Sequence, residues 1–279
     1  MNEPNDTKQE LTENGEDGIS RRRFLTVVGA AVGAVVAAQV TTNPLLGKGH
    51  ASHGGGSEGK YKWGMVIDIN KCIGCNYCTY ACQAVNGLEP DMQYNVVTTE
   101  QTKGGDEFFL ARPCLHCENP PCVQVCPVGA TYVRDDGIVT MDYDLCIGCR
   151  YCEVACPYGA RVFNWKENKM SVNDQVTPQF GFPEVEPRPR GVMEKCTFCQ
   201  HRIDPGLERG LMPGVDAKAT PACINVCPTG ARIFGNLNDP ESPASMALDS
   251  CKTPITLRPE LSTNPKVYYI PPKNEPEAS

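Results

Sequence analysis

Four cysteines fall within eleven residues in the stretch Cys72-Ile-Gly-Cys75-Asn-Tyr-Cys78-Thr-Tyr-Ala-Cys82. The same spacing recurs 74 residues later, in Cys146-Ile-Gly-Cys149-Arg-Tyr-Cys152-Glu-Val-Ala-Cys156. Cysteines separated by two, two and three residues are the bacterial pattern for binding iron–sulfur clusters. Three thiolates on one tight loop bind one cluster, and the fourth, at the start of a helix, points to a different cluster. The two stretches therefore predict two cluster-binding loops related by an internal repeat.

Two further runs of cysteines extend the pattern. One begins with Cys114-Leu-His-Cys117, and the other begins with Cys196-Thr-Phe-Cys199 and continues after a long insertion. Of the chain's 17 cysteines, Cys251 alone stands outside the runs, and it is interpreted as a buried or bystander thiol. Four runs predict four [4Fe–4S] clusters and, with them, a path for electrons. The members of these two runs are Cys114, Cys117, Cys122 and Cys126, and Cys196, Cys199, Cys223 and Cys227.

Other uses of so many cysteines fit the sequence less well. Disulfide frameworks belong to short secreted chains, whereas this chain has 279 residues. A zinc ribbon needs two Cys-x2-Cys pairs about 15–20 residues apart, and four cysteines in one short run are too crowded for a single tetrahedral ion. Covalent c-type haem requires Cys-x-x-Cys-His, and no histidine follows the Cys-x-x-Cys pair that begins any of the four runs.

The N-terminus resembles an export signal. Ser20-Arg21-Arg22-Arg23-Phe24-Leu25 leads into an apolar stretch, Leu25 to Val40, which is shorter than the ~20 residues that span a bilayer. A basic segment with an arginine pair before a weakly apolar stretch is typical of the twin-arginine route. We therefore expect a signal segment at 1–46, a flexible Gly- and Ser-rich linker at 47–60, and a periplasmic location or one on the outer face of the cytoplasmic membrane. The alternative is a buried Ala/Gly helix behind a basic patch.

Charge and composition limit the partners. The net charge of −7 argues against nucleic acid. From Lys252 onward the chain is polar and rich in proline, so 252–279 is predicted to be an extended C-terminal tail without a second membrane anchor. Contact with a membrane is then expected only through a partner.

Repeated motifs also predict the fold. Three runs end in Cys-Pro-x-Gly-Ala, and we expect a strand after each, at 131–134, 161–165 and 232–234. Asp135-Asp136-Gly137 predicts a hairpin turn before a strand at 138–141, and a further strand is expected at 61–69. Gly74 and Gly148 are expected to let the cluster loops turn tightly.

The predicted fold class is α+β, with two intertwined bacterial-type double-cluster ferredoxin modules and loop-rich insertions. Runs two and three form the inner module, 108–165, and runs one and four form the outer module, 61–107 with 166–251. Segments 167–190 and 200–222 contain no repeat and are candidate partner-binding insertions.

From Tyr61 to Tyr269 the chain resembles the four-cluster electron-transfer subunits of the dimethyl sulfoxide reductase superfamily, such as those of polysulfide and tetrathionate reductases. It is also similar to the exported iron–sulfur proteins of formate-dependent nitrite reduction and of the sulfite-reduction-associated membrane complex. It departs from the pattern at Gln83, where a proline would follow the fourth cysteine. The ligand sets that the resemblance implies are Cys72, Cys75, Cys78 and Cys227 (site 1), Cys114, Cys117, Cys122 and Cys156 (site 2), Cys146, Cys149, Cys152 and Cys126 (site 3), and Cys196, Cys199, Cys223 and Cys82 (site 4).

The resemblance implies a non-catalytic subunit that lies between a molybdopterin oxidoreductase subunit and an integral membrane subunit that handles quinone. Three alternatives remain: an exported soluble ferredoxin shuttle, part of a quinone-redox complex without a molybdopterin subunit, and a self-contained reductase. His116 is either a residue that tunes a cluster or a structural histidine. The cations next to cysteines either raise a cluster's potential or are surface charges; they are Lys71, Arg150, Lys195 and Arg202.

Overall fold

The computed structural model describes residues 59–167 and 178–273, so the predicted signal segment and nearly all of the predicted linker lie outside the described residues. Within these ranges the fold mixes short helices with small sheets, as the α+β prediction expects. The elements are β1 (Trp63–Asp68), α1 (Tyr77–Asn86), β2 (Asn95–Gln101), β3 (Glu107–Pro113), α2 (Pro121–Gln124), β4 (Thr131–Val133), β5 (Val139–Met141), α3 (Tyr151–Val154), β6 (Arg161–Phe163), β7 (Met193–Lys195), α4 (Gln200–Glu208), α5 (Ala222–Asn225), β8 (Arg232–Asn236), α6 (Pro243–Asp249) and β9 (Val267–Ile270), with 3-10 turns at Pro178–Phe180 and Pro259–Leu261.

The central sheet has the strand order β8-β1-β9. β1 pairs antiparallel with β8 and parallel with β9, and all six of its residues are buried. A strand covered on both faces is typically a continuous apolar run, as Trp-Gly-Met-Val-Ile is here. Trp63 anchors the core because its ring stacks between Tyr61, at 5.0 Å, and Phe234, at 5.7 Å.

The other strands form three two-stranded antiparallel pairs, β2–β3, β4–β5 and β6–β7. The turn between β4 and β5 is the predicted Asp135-Asp136-Gly137, in which Gly137 has φ 81° and the Asp136 carboxylate accepts the Ile138 N–H at 3.1 Å. The strands predicted after the Cys-Pro-x-Gly-Ala motifs are confirmed as β4, β6 and β8. The β2–β3 hairpin was not predicted from the sequence, and it spans the proposed module boundary at residue 107.

The C-terminal region differs from the predicted extended tail. β9 lies in the central sheet beside β1, and Val267 and Tyr269 are fully buried. Alternate residues of this strand point into the core, so the segment completes the sheet although prolines surround it. Residues 274–279 of the predicted tail lie outside the described residues.

Four of the six helices in the described residues pack in two pairs, α1 against α5 and α2 against α3. Residues 178–190 cross the end of α1, where the Glu184 N–H donates to the Val85 carbonyl at 2.8 Å and Arg188 donates to the Asn86 carbonyl at 3.1 Å. These contacts hold in place part of a segment predicted only as an insertion. None of the helices in the described ranges has both the length and the apolar character needed to cross a membrane.

Candidate iron–sulfur cluster sites

One cavity gathers all four cysteines of predicted site 1. Cys72 and Cys75 lie in the loop before α1, and Cys78 lies in the first turn of α1. Cys227 follows α5. Gly74 takes the tight turn expected of it, with φ 69°. Asn76, which precedes α1, is also left-handed, with φ 60°, so the chain reverses sharply around the cavity.

A second cavity is lined by the four cysteines of predicted site 4. Cys82 comes from α1, Cys196 and Cys199 precede α4, and Cys223 lies on α5. The Asn86 side chain donates to Cys82 Sγ at 3.5 Å. α1 therefore contributes predicted ligands to both cavities, as expected when the fourth cysteine of a run points to a neighbouring site.

The cysteines of predicted site 2 are also close to one another. Burial is the main cause that raises the pKa of Cys117 to about 12, and the nearby Cys114, Cys122 and Cys156 contribute to the same rise. Cys156 in turn has Cys114 and Cys122 as electrostatic neighbours. The structure thus brings the four residues of this set together.

Predicted site 3 lies nearer the surface. Cys152 interacts electrostatically with Cys126 and packs in the same apolar cluster as Cys146, whose Sγ accepts the Met193 N–H at 3.5 Å. Cys149 is exposed. Gly148 beside it has φ 67°, matching Gly74 in the repeat.

Electrostatic neighbours connect the four sets in one order. Cys78 of site 1 raises the pKa of Cys223 in site 4, although burial is the larger cause. Burial likewise raises the pKa of Cys196 in site 4, with Cys114 of site 2 as the next cause. Burial also dominates at Cys152 of site 3, where Cys122 of site 2 adds to the rise. The sequence of sites is therefore 1, 4, 2, 3.

Burial sets the protonation state of these thiols before a cluster binds. Burial raises the pKa of Cys199 to about 12, as it does for Cys117. A thiol with such a pKa is neutral at pH 7, whereas the ligand is the thiolate, so binding of iron must release protons. Among the described residues, no group of three or more His, Cys, Asp or Glu side chains is arranged to hold a single metal ion. Each thiolate of a [4Fe–4S] set binds a different iron, which spaces the sulfurs more widely.

Two buried arginines near these sites were not predicted from the sequence. Arg161 and Arg232 each leave only 4% of their surface exposed, and each follows a Cys-Pro-x-Gly-Ala motif. Arg161 has Cys122 and Cys152 among its neighbours, and Arg232 has Cys223 and Cys78. The available signal was an arginine directly after two of the Cys-Pro-x-Gly-Ala motifs. An arginine at the start of a strand usually faces solvent, so this signal did not indicate burial.

The other singled-out side chains divide into buried and exposed groups. His116 is fully buried, stacks on Phe198 at 3.7 Å and accepts the Val139 N–H on Nδ1 at 3.1 Å, and burial lowers its pKa. Lys195 is also fully buried and donates to the carbonyls of Val139 and Cys196. Lys71 and Arg150 are surface charges paired with nearby carboxylates, and Arg202 pairs with Glu184.

Family models of two 4Fe-4S dicluster domains match the chain, one over residues 71–130 and 145–231 and the other over residues 105–179. The menaquinone reductase iron–sulfur cluster-binding subunit of Nitratidesulfovibrio vulgaris is 41% identical, over 76% of this chain and 90% of its own. A polysulfide reductase chain from Wolinella succinogenes is 39% identical, over 76% and 95% respectively. A tetrathionate reductase subunit from Salmonella typhimurium is 34% identical, over 90% and 88%. The two dicluster domains and the four runs of cysteines fit four [4Fe–4S] clusters.

Proposed function

Because the chain is a member of the family of 4Fe-4S dicluster iron–sulfur subunits of reductase complexes, we propose that it relays electrons between a membrane quinone-interacting subunit and a molybdopterin catalytic subunit. A bound [4Fe–4S] cluster supplies one-electron redox chemistry over a wide range of potentials. The protein's part is to hold the clusters in a fixed row, to bury them and to set their potentials.

The observation that carries this proposal is the electrostatic proximity of neighbouring ligand sets, which follows one order. Cys78 is an electrostatic neighbour of Cys223, Cys114 of Cys196, and Cys122 of Cys152. Site 1 lies at one end of this row, and site 3, with its exposed Cys149, lies at the other. A row with two distinct ends suits transfer between two partners, and we assign the site 1 end to the catalytic subunit and the site 3 end to the membrane subunit.

The arrangement also supports the two intertwined ferredoxin modules as part of the proposal. β1 before run one pairs with β8 after run four, and α1 packs against α5. α2 of run two packs against α3 of run three. We extend the proposal to the assignment of all sixteen cysteines to sites 1 to 4 as the resemblance implies them.

Export and membrane association complete the proposal. The Ser-Arg-Arg-x-Phe-Leu pattern at Ser20–Leu25 supports the twin-arginine route to the periplasm. Changing Arg21 and Arg22 together to lysine keeps the charge, and we expect the protein to stay in the cytoplasm of a strain that lacks the partner subunits. Unchanged periplasmic protein in that strain would contradict the signal assignment.

Purification of the chain with its native partners tests the function directly. We expect about sixteen iron and sixteen sulfide per chain after anaerobic preparation, and a stable complex with a catalytic and a membrane subunit. The complex should couple oxidation or reduction of quinone to turnover of the catalytic subunit. About eight iron per chain, or a dominant three-iron EPR signal in a fresh sample, would remove the four-cluster assignment.

The relative named a menaquinone reductase subunit favours a second candidate, a quinone-redox complex without a molybdopterin subunit. Analysis of pterin in the purified complex separates the two candidates. Pterin bound in stoichiometric amount supports the first proposal, and quinone-linked activity in a complex free of pterin supports the second. A chain that purifies alone and exchanges electrons with a soluble donor would instead be a shuttle.

A further inference from the structure

Arg232 lies where the cavities of sites 1 and 4 meet. It is the one residue that lines both cavities within the described chain, while the cysteines that line them are different. The guanidinium is also an electrostatic neighbour of Cys223 in site 4 and of Cys78 in site 1. A single positive charge is therefore shared by two neighbouring sites.

Asn95 holds this guanidinium in place and connects it to a ligand. Arg232 Nη1 donates to Asn95 Oδ1 at 2.8 Å, and Asn95 Nδ2 donates to Cys78 Sγ at 3.2 Å. On the other side, Arg232 Nη2 donates to Met65 Sδ at 3.3 Å, and sulfur in a thioether is a weak acceptor. The pair thus forms a polar bridge inside the core, since Asn95 is itself only 2% exposed.

The charge of Arg232 lacks a conventional partner. In residues 59–167 and 178–273 it forms no salt bridge with a carboxylate, and its buried Nε has no hydrogen-bond partner. A buried, unpaired cation is strongly destabilising, so an anionic group at the cavities is required to balance it. Four thiolates that surround iron and sulfide supply such a group. Burial lowers the pKa of Arg232, but Cys223, Cys78, Tyr269 and Cys196 together outweigh burial and hold the pKa above its usual value.

We propose that Arg232, held by Asn95, is a positioning residue that raises the reduction potentials of sites 1 and 4 together. This inference rests on the proposed assignment of cysteines to these sites. An electron gained at either site comes from the neighbouring site or from the partner complex, and it adds one negative charge beside the guanidinium. Because arginine remains protonated, a fixed charge and not proton uptake stabilises the reduced state. Low local dielectric strengthens the effect at both sites.

The internal repeat supplies a matched control. Arg161 occupies the equivalent position, is buried to the same extent, donates to Met141 Sδ at 3.2 Å and to Thr131 Oγ1 at 2.8 Å, and neighbours cysteines of sites 2 and 3. The two arginines thus share their burial and their type of contacts but face different pairs of sites. Variants of the two should therefore shift different clusters.

EPR-monitored redox titration of the full chain in its native complex tests this inference, with iron content measured on the same samples. In Arg232→Gln we expect two of the four midpoint potentials to fall while the other two stay unchanged. In Arg161→Gln we expect the complementary pair to fall, and the double variant should lower all four. Four unchanged potentials in a fully loaded Arg232→Gln protein, or a shift confined to one cluster, would overturn the shared bridge.

A second pair of variants keeps the test decisive if Arg232→Gln fails to assemble. Arg232→Lys retains the charge and should keep both potentials closer to wild type than any neutral replacement. Asn95→Asp keeps nearly the same side-chain shape. The new carboxylate neutralises the guanidinium, and the variant lacks the N–H that Asn95 donates to Cys78. We expect it to lower both potentials, and unchanged values with full iron content would refute the bridge. An iron content near eight in the wild type would instead count against the proposed function.

Discussion

The phenol of Tyr269 donates a hydrogen bond to the carbonyl oxygen of Ala111 at 3.1 Å. This bond joins β9, near the C-terminal end of the described chain, to β3, the strand that leads directly into the second run of cysteines. Both residues are buried, and Tyr269 belongs to the same core as Trp63 and Phe234. The C-terminal strand therefore supports a cluster loop that lies far from it in sequence.

Ending the chain after Cys251 should prevent stable folding of the cluster-binding region. The truncation removes β9, and with it two fully buried side chains, Val267 and Tyr269, whose burial contributes about 3–6 kcal/mol. A loss of that size is a large part of the ~5–15 kcal/mol that stabilises a typical domain. Ending the chain after Lys273 keeps the strand and serves as the control. Soluble, fully iron-loaded protein from the shorter chain would show that the predicted tail is dispensable.

Gly148→Ala should damage site 3 more than Gly159→Ala damages site 2. Both glycines have positive φ, 67° and 60°, so alanine costs about 1–2 kcal/mol at either position. A Cβ at Gly148 would also stand 2.1 Å from the Gly191 carbonyl oxygen, whereas a Cβ at Gly159 meets no atom within 4 Å. Thermal melting and iron content measure the difference. Equal losses in the two variants would show that the clash is relieved by a shift of the backbone.

Cys149→Ser should remove or alter one cluster and interrupt the relay. We expect iron to fall from about sixteen to about twelve per chain, with loss of one EPR component. Quinone-linked turnover should stop, while the catalytic subunit keeps its activity with an artificial dye in the assembled complex. Cys251→Ser is the control, because this cysteine lies outside the four runs and should leave the iron content unchanged. Full quinone-linked turnover without that cluster would exclude a single obligatory path.

Glu184→Gln should loosen the segment that crosses α1. Arg202 donates to both carboxylate oxygens of Glu184, at 2.5 and 2.6 Å, and burial, which raises the pKa of Glu184, is outweighed by His201 and Arg202, which lower it to about 2. The pair is partly exposed, so we expect a loss of about 1 kcal/mol or less at pH 8.

The pH dependence of that loss has a definite sign. A carboxylate whose folded pKa lies below the ordinary value of 4.5 stabilises the protein above about pH 4.5, and the contribution disappears as the pH falls towards 2. The difference in melting temperature between wild type and Glu184→Gln should therefore shrink below pH 4.5. Glu186→Gln is the control, because Glu186 lies on the same segment and forms no ion pair with any of the described residues. A difference that grew on acidification would be inconsistent with this assignment.

Local patterns predicted the parts of the fold that depend on local chemistry. The tight turn at Gly74 and the hairpin turn at Asp136 follow from residue types that favour positive φ or accept a nearby N–H. The strands after the Cys-Pro-x-Gly-Ala motifs follow from the repeat. The predicted grouping of Cys82 with Cys199 came from the family resemblance, and the second cavity brings the two together.

Contacts between distant parts of the chain were not predictable in the same way. β9 pairs with β1 across about 200 residues, and its short apolar alternation is hidden among prolines. Burial of Arg161 and Arg232 contradicts the usual exposure of arginine, and their electrostatic neighbours are cysteines of the predicted sites. Sequence patterns predict the ligands, whereas the buried positive charges beside the predicted sites become visible only in three dimensions.

α1 carries Cys78 towards one cavity and Cys82, about one turn later, towards the next. During biogenesis, the insertion of a cluster at either cavity therefore fixes the helix that must present a ligand to the other. We expect maturation of the two sites to be cooperative, so that half-loaded chains are short-lived and the assembly machinery releases the pair together. The same coupling makes oxidative damage at one site a threat to its neighbour, because a helix freed at one end no longer holds the ligand at the other.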